Sequence, residues 1–208
     1  KMLTIKESKD TFSKELAFES VDSIPTIDRT MAEKLGSRKL GEVVSLVSQF
    51  NVASDFTQVA VNGESKRVSP LEYASFTRWS KNKDLGIPYY VSIDMVSGES
   101  ELVKLEESIK YSTSDKFGRY INRYIQSKNP TKLIENATFE VDDKGIPYYI
   151  APVYDFSIGL FGGKDVKEVI VVNATNGKMK TYAVKDVPKW VDRVYDSFLV
   201  LGQINSAG

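Results

Sequence analysis

Short runs of alternating apolar and polar residues, bounded by Asn, Asp and Gly, predict strands joined by tight turns over much of this chain. The clearest is a hairpin over residues 56–61 and 66–68, because Asn62-Gly63 tolerates the positive φ angles of a type I′ turn. Further strands are predicted at 86–94, 99–105, 133–142, 147–157, 166–173 and 178–184, with turns at Asp94-Met95-Val96-Ser97-Gly98-Glu99, Asp142-Asp143-Lys144-Gly145 and Asn176-Gly177. The Val-rich stretch 43–52 is read as a strand, with helix left open. A final short strand is placed at 198–201.

Helical spacing interrupts this pattern. A helix is predicted from Asp28, with Met31, Ala32 and Leu35 on one face and Gly36 as its stop. Ser69-Pro70-Leu71-Glu72 carries a capping residue, a first-position proline and a returning glutamate, so a second helix is predicted from there to about Asn82. Phe117, Tyr120, Ile121, Tyr124 and Ile125 form one apolar stripe within a helix over 115–126, and Pro130 prevents its continuation. A last helix near Pro188 carries Trp190, Val191, Val194 and Tyr195. The predicted core comprises Leu71, Trp79, Tyr89, Ile93, Phe117, Ile121, Tyr124, Ile125, Phe139, Tyr148, Val171 and Trp190.

The chain also repeats itself. Gly-Ile-Pro-Tyr-Tyr occurs at Gly86–Tyr90 and Gly145–Tyr149, an offset of 59 residues. The turn that starts at Asp94 resembles the one that starts at Asn173, an offset of 79 residues. Helices followed by runs of antiparallel strands indicate an α+β fold. Two related units are expected, each a helix packed on a curled antiparallel sheet: an arm over 1–24, a first unit over 25–108 and a second over 109–208. The two offsets predict an inserted strand and glycine-rich loop in the second unit, roughly over 150–169. Strand alternation places Tyr89 and Tyr148 inward and Tyr90 and Tyr149 outward, where an aromatic platform for a partner could form. Pro88 and Pro147 lack an amide donor and suit a strand start or edge.

Composition narrows the chemistry. Histidine and cysteine are both absent, which removes Ser-His-Asp and Cys-His catalysis, disulfides and zinc sites built from these residues. The absence of cysteine favours an exported protein. Lysine plus arginine and aspartate plus glutamate number 28 each, so no global field draws in nucleic acid or an anionic membrane. No apolar run approaches the roughly 18 residues of a membrane span. The start Lys1-Met2 reads as a segment of a longer parent, and any membrane attachment is expected from parts outside it.

Candidate motifs resolve into structural roles with few exceptions. Gly159-Leu160-Phe161-Gly162-Gly163-Lys164-Asp165 lacks the first glycine of a phosphate loop, since residue 158 is Ile, and Asp165 stands where a hydroxyl is needed. Leu160 and Phe161 within it are candidate partner contacts, together with Tyr90 and Tyr149. Asp142-Asp143-Lys144-Gly145 has neither the length nor the spacing of a calcium loop. Arg119, Arg123, Lys128 and Lys132 are a candidate basic strip for wall polymers or anionic headgroups, set against a plain solvated helix face. No catalytic residue, cofactor site or metal site is predicted. A carboxylate pair could hydrolyse a glycoside without histidine, although no pair of acids is marked by its neighbours.

The helix followed by antiparallel strands, closed by Val-Val-Asn-Ala-Thr-Asn-Gly-Lys at 171–178, resembles the PepSY domains of bacterial envelope proteins. Ile24-Pro25-Thr26-Ile27-Asp28, Gly145-Ile146-Pro147-Tyr148-Tyr149, Gly159-Leu160-Phe161-Gly162-Gly163-Lys164 and Val187-Pro188-Lys189-Trp190-Val191-Asp192 are similar to a group of uncharacterised membrane-anchored proteins of Gram-positive bacteria. The resemblance covers most of the chain from residue 24 and implies a PepSY- or cystatin-like fold and an extracytoplasmic location. It also implies a role in binding or restraining another protein. The sequence therefore predicts a non-catalytic interaction or sensing module whose partner is a protein or another envelope component. A wall hydrolase and a self-assembling sheet edge are the alternatives.

Overall fold

The computed structural model describes residues 27–156 and 164–191. The predicted arm, the final strand and the Leu160-Phe161 loop lie outside these residues. The chain runs α1 (Arg29–Gly41), α2 (Val44–Val47), β1 (Phe50–Val52), β2 (Thr57–Val61), β3 (Glu64–Tyr73), α3 (Phe76–Asn82), β4 (Ile87–Asp94) and β5 (Ser100–Ile109). It continues with α4 (Ile121–Lys128), β6 (Leu133–Ile134), β7 (Thr138–Val141), β8 (Pro147–Phe156), β9 (Lys164–Asn173) and β10 (Met179–Ala183).

The fold is α+β, built from two similar units. Each unit holds one antiparallel sheet of five strands. In the first, β1 and β2 both pair with β3, followed by β4 and then β5. In the second, β6 and β7 both pair with β8, followed by β9 and then β10. Strand for strand, β3 therefore corresponds to β8 and β4 to β9. Backbone bonds outside the ladders agree, because Met95 N donates to Ser65 O at the start of β3 and Ala174 N donates to Pro147 O at the start of β8.

This correspondence corrects the expected insertion. The first Gly-Ile-Pro-Tyr-Tyr opens β4, whereas the second opens β8, the counterpart of β3. The two copies lie on non-equivalent strands, so their offset never measured the repeat. The turns at Asp94 and Asn173 are the true match. Asp94 Oδ1 accepts from Val96 N and Ser97 N at 2.9 and 2.7 Å, and Asn173 Oδ1 accepts from Thr175 N and Asn176 N at 2.9 and 3.2 Å. Both turns close on a glycine at φ 73°. No extra strand is present in the second unit among the described residues. The longer connection is instead in the first unit, where α3 joins β3 to β4.

Local signals were overridden elsewhere. Ser69-Pro70-Leu71-Glu72 lies inside β3, and α3 begins later under a Ser75 cap. Pro70 marks the point where β3 exchanges β2 for β1 as its neighbour, so its missing N–H costs no continuous ladder. The Ser69 hydroxyl donates to Ala53 O at 2.9 Å rather than capping a helix. The stretch 43–52 divides into α2 and β1, and 133–142 into β6 and β7. Gly36 does not end α1. It is buried mid-helix against Phe56 and Val91, where a Cβ would stand 3.1 Å from the Phe56 ring.

One apolar core runs through both units. It joins Ile27, Ala32, Leu40, Leu71, Trp79, Val91 and Ile93 of the first to Ile121, Ile125, Phe139, Tyr149 and Val172 of the second. Strand β7 packs against β2 and β3, and at the tips Asn62 N donates to Asp143 Oδ1 at 3.0 Å. A smaller cluster on the other face of the second sheet gathers Ile150, Val169, Val171, Val187 and Val191, with Trp190 against Tyr148 at 4.8 Å between ring centroids.

Candidate functional site

The expected partner contacts need correction first. Tyr90 and Tyr149 are buried at 4% and 1% exposure, and Tyr89 and Tyr148 are half-buried. Alternation holds in both strands, but with the faces reversed. Phe139 of β7 is the reason: it lies between Tyr90 and Tyr149, with ring centroids at 5.9 and 5.6 Å, and both rings turn toward the seam between the units. Tyr90 and Tyr149 offer no surface to a partner. Burial pushes the Tyr90 phenol up to about 12.

The basic strip does not form either. Arg119 donates from Nη1 to Lys83 O at 2.5 Å and sits 3.6 Å from Asp84 Oδ1, while Lys132 is paired with Glu168. Of the four, only Arg123 and Lys128 are exposed, while Arg119 and Lys132 are half-buried and committed to these acids. Phe117 leaves the predicted stripe as well, because α4 starts after it, at Ile121, and only Ile121 and Ile125 of that stripe are fully buried.

Phe117 is instead part of an aromatic surface that sequence spacing did not reveal. Its ring is 66% exposed and stands 5.7 Å from Trp79, which stands 5.2 Å from Phe76, itself 61% exposed. Phe76 and Trp79 come from α3, which has no counterpart in the second unit among the described residues, and Phe117 opens the short 3-10 turn Phe117–Arg119 before α4. The Phe117 backbone is left-handed at φ 54°, a conformation that costs a bulky residue about 1–2 kcal/mol. Lys83 Nζ lies 5.5 Å from the Trp79 ring.

Polar bonds fix this surface from below. Trp79 Nε1 donates to Asp115 Oδ1 at 2.9 Å, and the Ser112 hydroxyl donates to Asp115 Oδ2 at 3.2 Å. The loop closes on itself where Ile121 N donates to Ser112 O at 3.0 Å. Asp115 has no solvent exposure, and this burial raises its carboxyl above the usual range despite both donors. Beneath the same region the Tyr73 hydroxyl is buried with no hydrogen-bond partner, and burial pushes the Tyr73 and Tyr149 phenols upward. The surface encloses a recess of about 360 Å³ lined by Phe76, Asp115, Lys116, Phe117, Tyr120 and Arg123.

A second, wider cleft of about 610 Å³ lies between the units. Arg29, Arg67, Asp55 and Glu135 line it, so it mixes both signs of charge. Arg67 Nε donates to Ile27 O at 2.8 Å, and burial with Arg29 nearby lowers its pKa. Glu72 on β3 is raised by burial and then by Asp55. Asp55 shares the cleft with Glu135, and Asp115 lies in a different recess. No group of three or more acidic side chains that could hold a metal occurs among the described residues. Comparison with family models, curated proteins and solved structures found no match to this chain.

Proposed function

We propose that this chain is a non-catalytic interaction or sensing module of a larger envelope protein, acting outside the cytoplasm. The observation that carries the interaction reading is the exposed Phe76–Trp79–Phe117 surface. Large exposed aromatics are unusual on a protein that meets only water, and strained backbone that presents such a ring points toward recognition. The placement outside the cytoplasm rests on the resemblance to envelope proteins, with which the cysteine-free composition is compatible.

The alternatives find less support. A carboxylate-dependent hydrolase needs two acids facing one substrate; Asp55 and Glu135 do line a common cleft, but Arg29 and Arg67 are set against them there. Self-assembly through a sheet edge would use an outer strand, and β5, which closes one side of the first sheet, exposes Glu101, Lys104, Glu106 and Glu107, charges that discourage edge pairing.

The test is capture of envelope proteins on the immobilised chain, run in parallel with Phe117→Gly. Glycine accepts the φ of 54° without strain, so the variant keeps or raises stability by up to about 1 kcal/mol while removing the ring. The expected result is a partner that the wild type captures and the variant loses. Equal capture by both would remove the aromatic surface from the reading.

A further inference from the structure

The aromatic surface carries a charge as well as a shape, and the sign of that charge selects a partner. Asp115 is the acid that lines the recess, yet it presents nothing outward. It is fully buried, and Trp79 and Ser112 donate to its two oxygens from inside. A ring of aromatics over a carboxylate would suit an ammonium group if that carboxylate faced the recess. Here it does not. The charges that do face solvent at the recess are Lys116 and Arg123, both exposed and neither in an ion pair among the described residues. Asp84, the nearby exposed acid, is engaged by Arg119. A ligand entering between Phe76 and Phe117 therefore meets apolar rings at the centre and unpaired cations at the rim.

We infer that the recess between Phe76 and Phe117 docks an acidic peptide segment of a partner protein, with one bulky apolar side chain seated between the rings and flanking Asp or Glu residues on Lys116 and Arg123. This inference rests on the interaction reading above and names the partner's chemistry. Central aromatics supply most of the affinity in such contacts, and rim charges supply orientation and association rate. The cleft between the units offers no comparable sign, since Arg29 and Arg67 face Asp55 and Glu135.

Selection from a random displayed peptide library against the 208-residue chain tests this. Bound phage are counter-selected on a Phe76→Ser/Phe117→Ser variant whose fold is checked by its thermal melt. Both rings are already largely exposed, so this variant is expected to fold. The expected winners pair an aromatic or leucine with two or more acids. Their affinity falls about tenfold or more in the double serine variant and in Lys116→Glu/Arg123→Glu, and it weakens as salt rises. Winners that are basic or uncharged but still need the two phenylalanines would overturn the acidic partner and leave the interaction surface standing. A library that yields no binder sensitive to the serine variant would overturn both.

Discussion

Gly86 and Gly177 both have left-handed backbones, but a methyl group would meet different neighbours at each. At Gly86 a Cβ would stand 2.5 Å from Ile109 O, a backbone atom held by the β4–β5 ladder. At Gly177 it would stand 2.5 Å from the Tyr111 ring, which is itself stacked on Tyr124 at 4.7 Å. At Gly63, also left-handed, nothing lies within 4 Å. Substitution by Ala is therefore expected to cost about 1–2 kcal/mol at Gly63, more at Gly177 and most at Gly86, in chemical denaturation. An equal cost at all three would show that backbone conformation alone decides. Asp115 gives a second graded test. Asp115→Ala orphans the buried Trp79 Nε1 and should cost about 1–3 kcal/mol, whereas Asp115→Asn keeps an acceptor and removes the desolvated charge, so it should cost less. The folded-state pKa of Asp115 lies above its unfolded value. The folded state therefore holds the extra proton between those two values, and wild-type stability relative to Asp115→Asn should rise as pH falls through that window. A fall over the same window would mean that the carboxylate, not the acid, is the stabilising form.

Among the elements, the turns were the most legible part of the chain. Asn62-Gly63 adopts φ of 51° and 83°, as a type I′ hairpin requires, and the Asp94, Asp142 and Asn173 turns all formed where turn chemistry placed them. The Asp94, Asp142 and Asn173 turns each rest on a side chain that accepts from amides within a few residues, and the Asn62-Gly63 turn rests on residues that tolerate positive φ, so the local sequence is enough to mark them. Asp94 shows the consequence: its bond from Ser97 N holds the carboxyl below the usual range. Because that folded pKa is depressed, its stabilising effect is present above the unfolded carboxyl value and is lost as pH falls through the folded one. Asp94→Asn keeps an acceptor for Ser97 N and should flatten that acid limb of the stability profile. An unchanged limb would mean that another acid sets it. The helix signal at Ser69-Pro70 was just as local, but β4 and β1 competed for the same stretch of backbone and prevailed.

Across the whole molecule, the two units should unfold as one. Phe139 packs against Tyr90 of the first unit and Tyr149 of the second, within a core that draws on both. Phe139→Ala should cost about 3–5 kcal/mol and destabilise both units together. Trp79 reports the first unit and Trp190 the second, so single-tryptophan variants can follow each one separately. Their denaturation midpoints should coincide, and Phe139→Ala should shift them equally. Separate midpoints would mean that the seam is not part of a common core.

The sequence by itself determined the α+β class, the presence of two related units, most strand positions and the turn geometry, because alternation and turn residues act over a few positions. It also excluded histidine- and cysteine-based chemistry, since composition cannot be changed by folding. Only the tertiary structure decided which strands correspond, since that is set by pairing partners and not by the resemblance of a pentapeptide. It also decided the outward or inward direction of Tyr90 and Tyr149, which depends on what covers each sheet face. The Phe76–Trp79–Phe117 surface came last for the same reason: its rings lie on α3 and on the loop before α4, and no spacing along the chain shows that they meet.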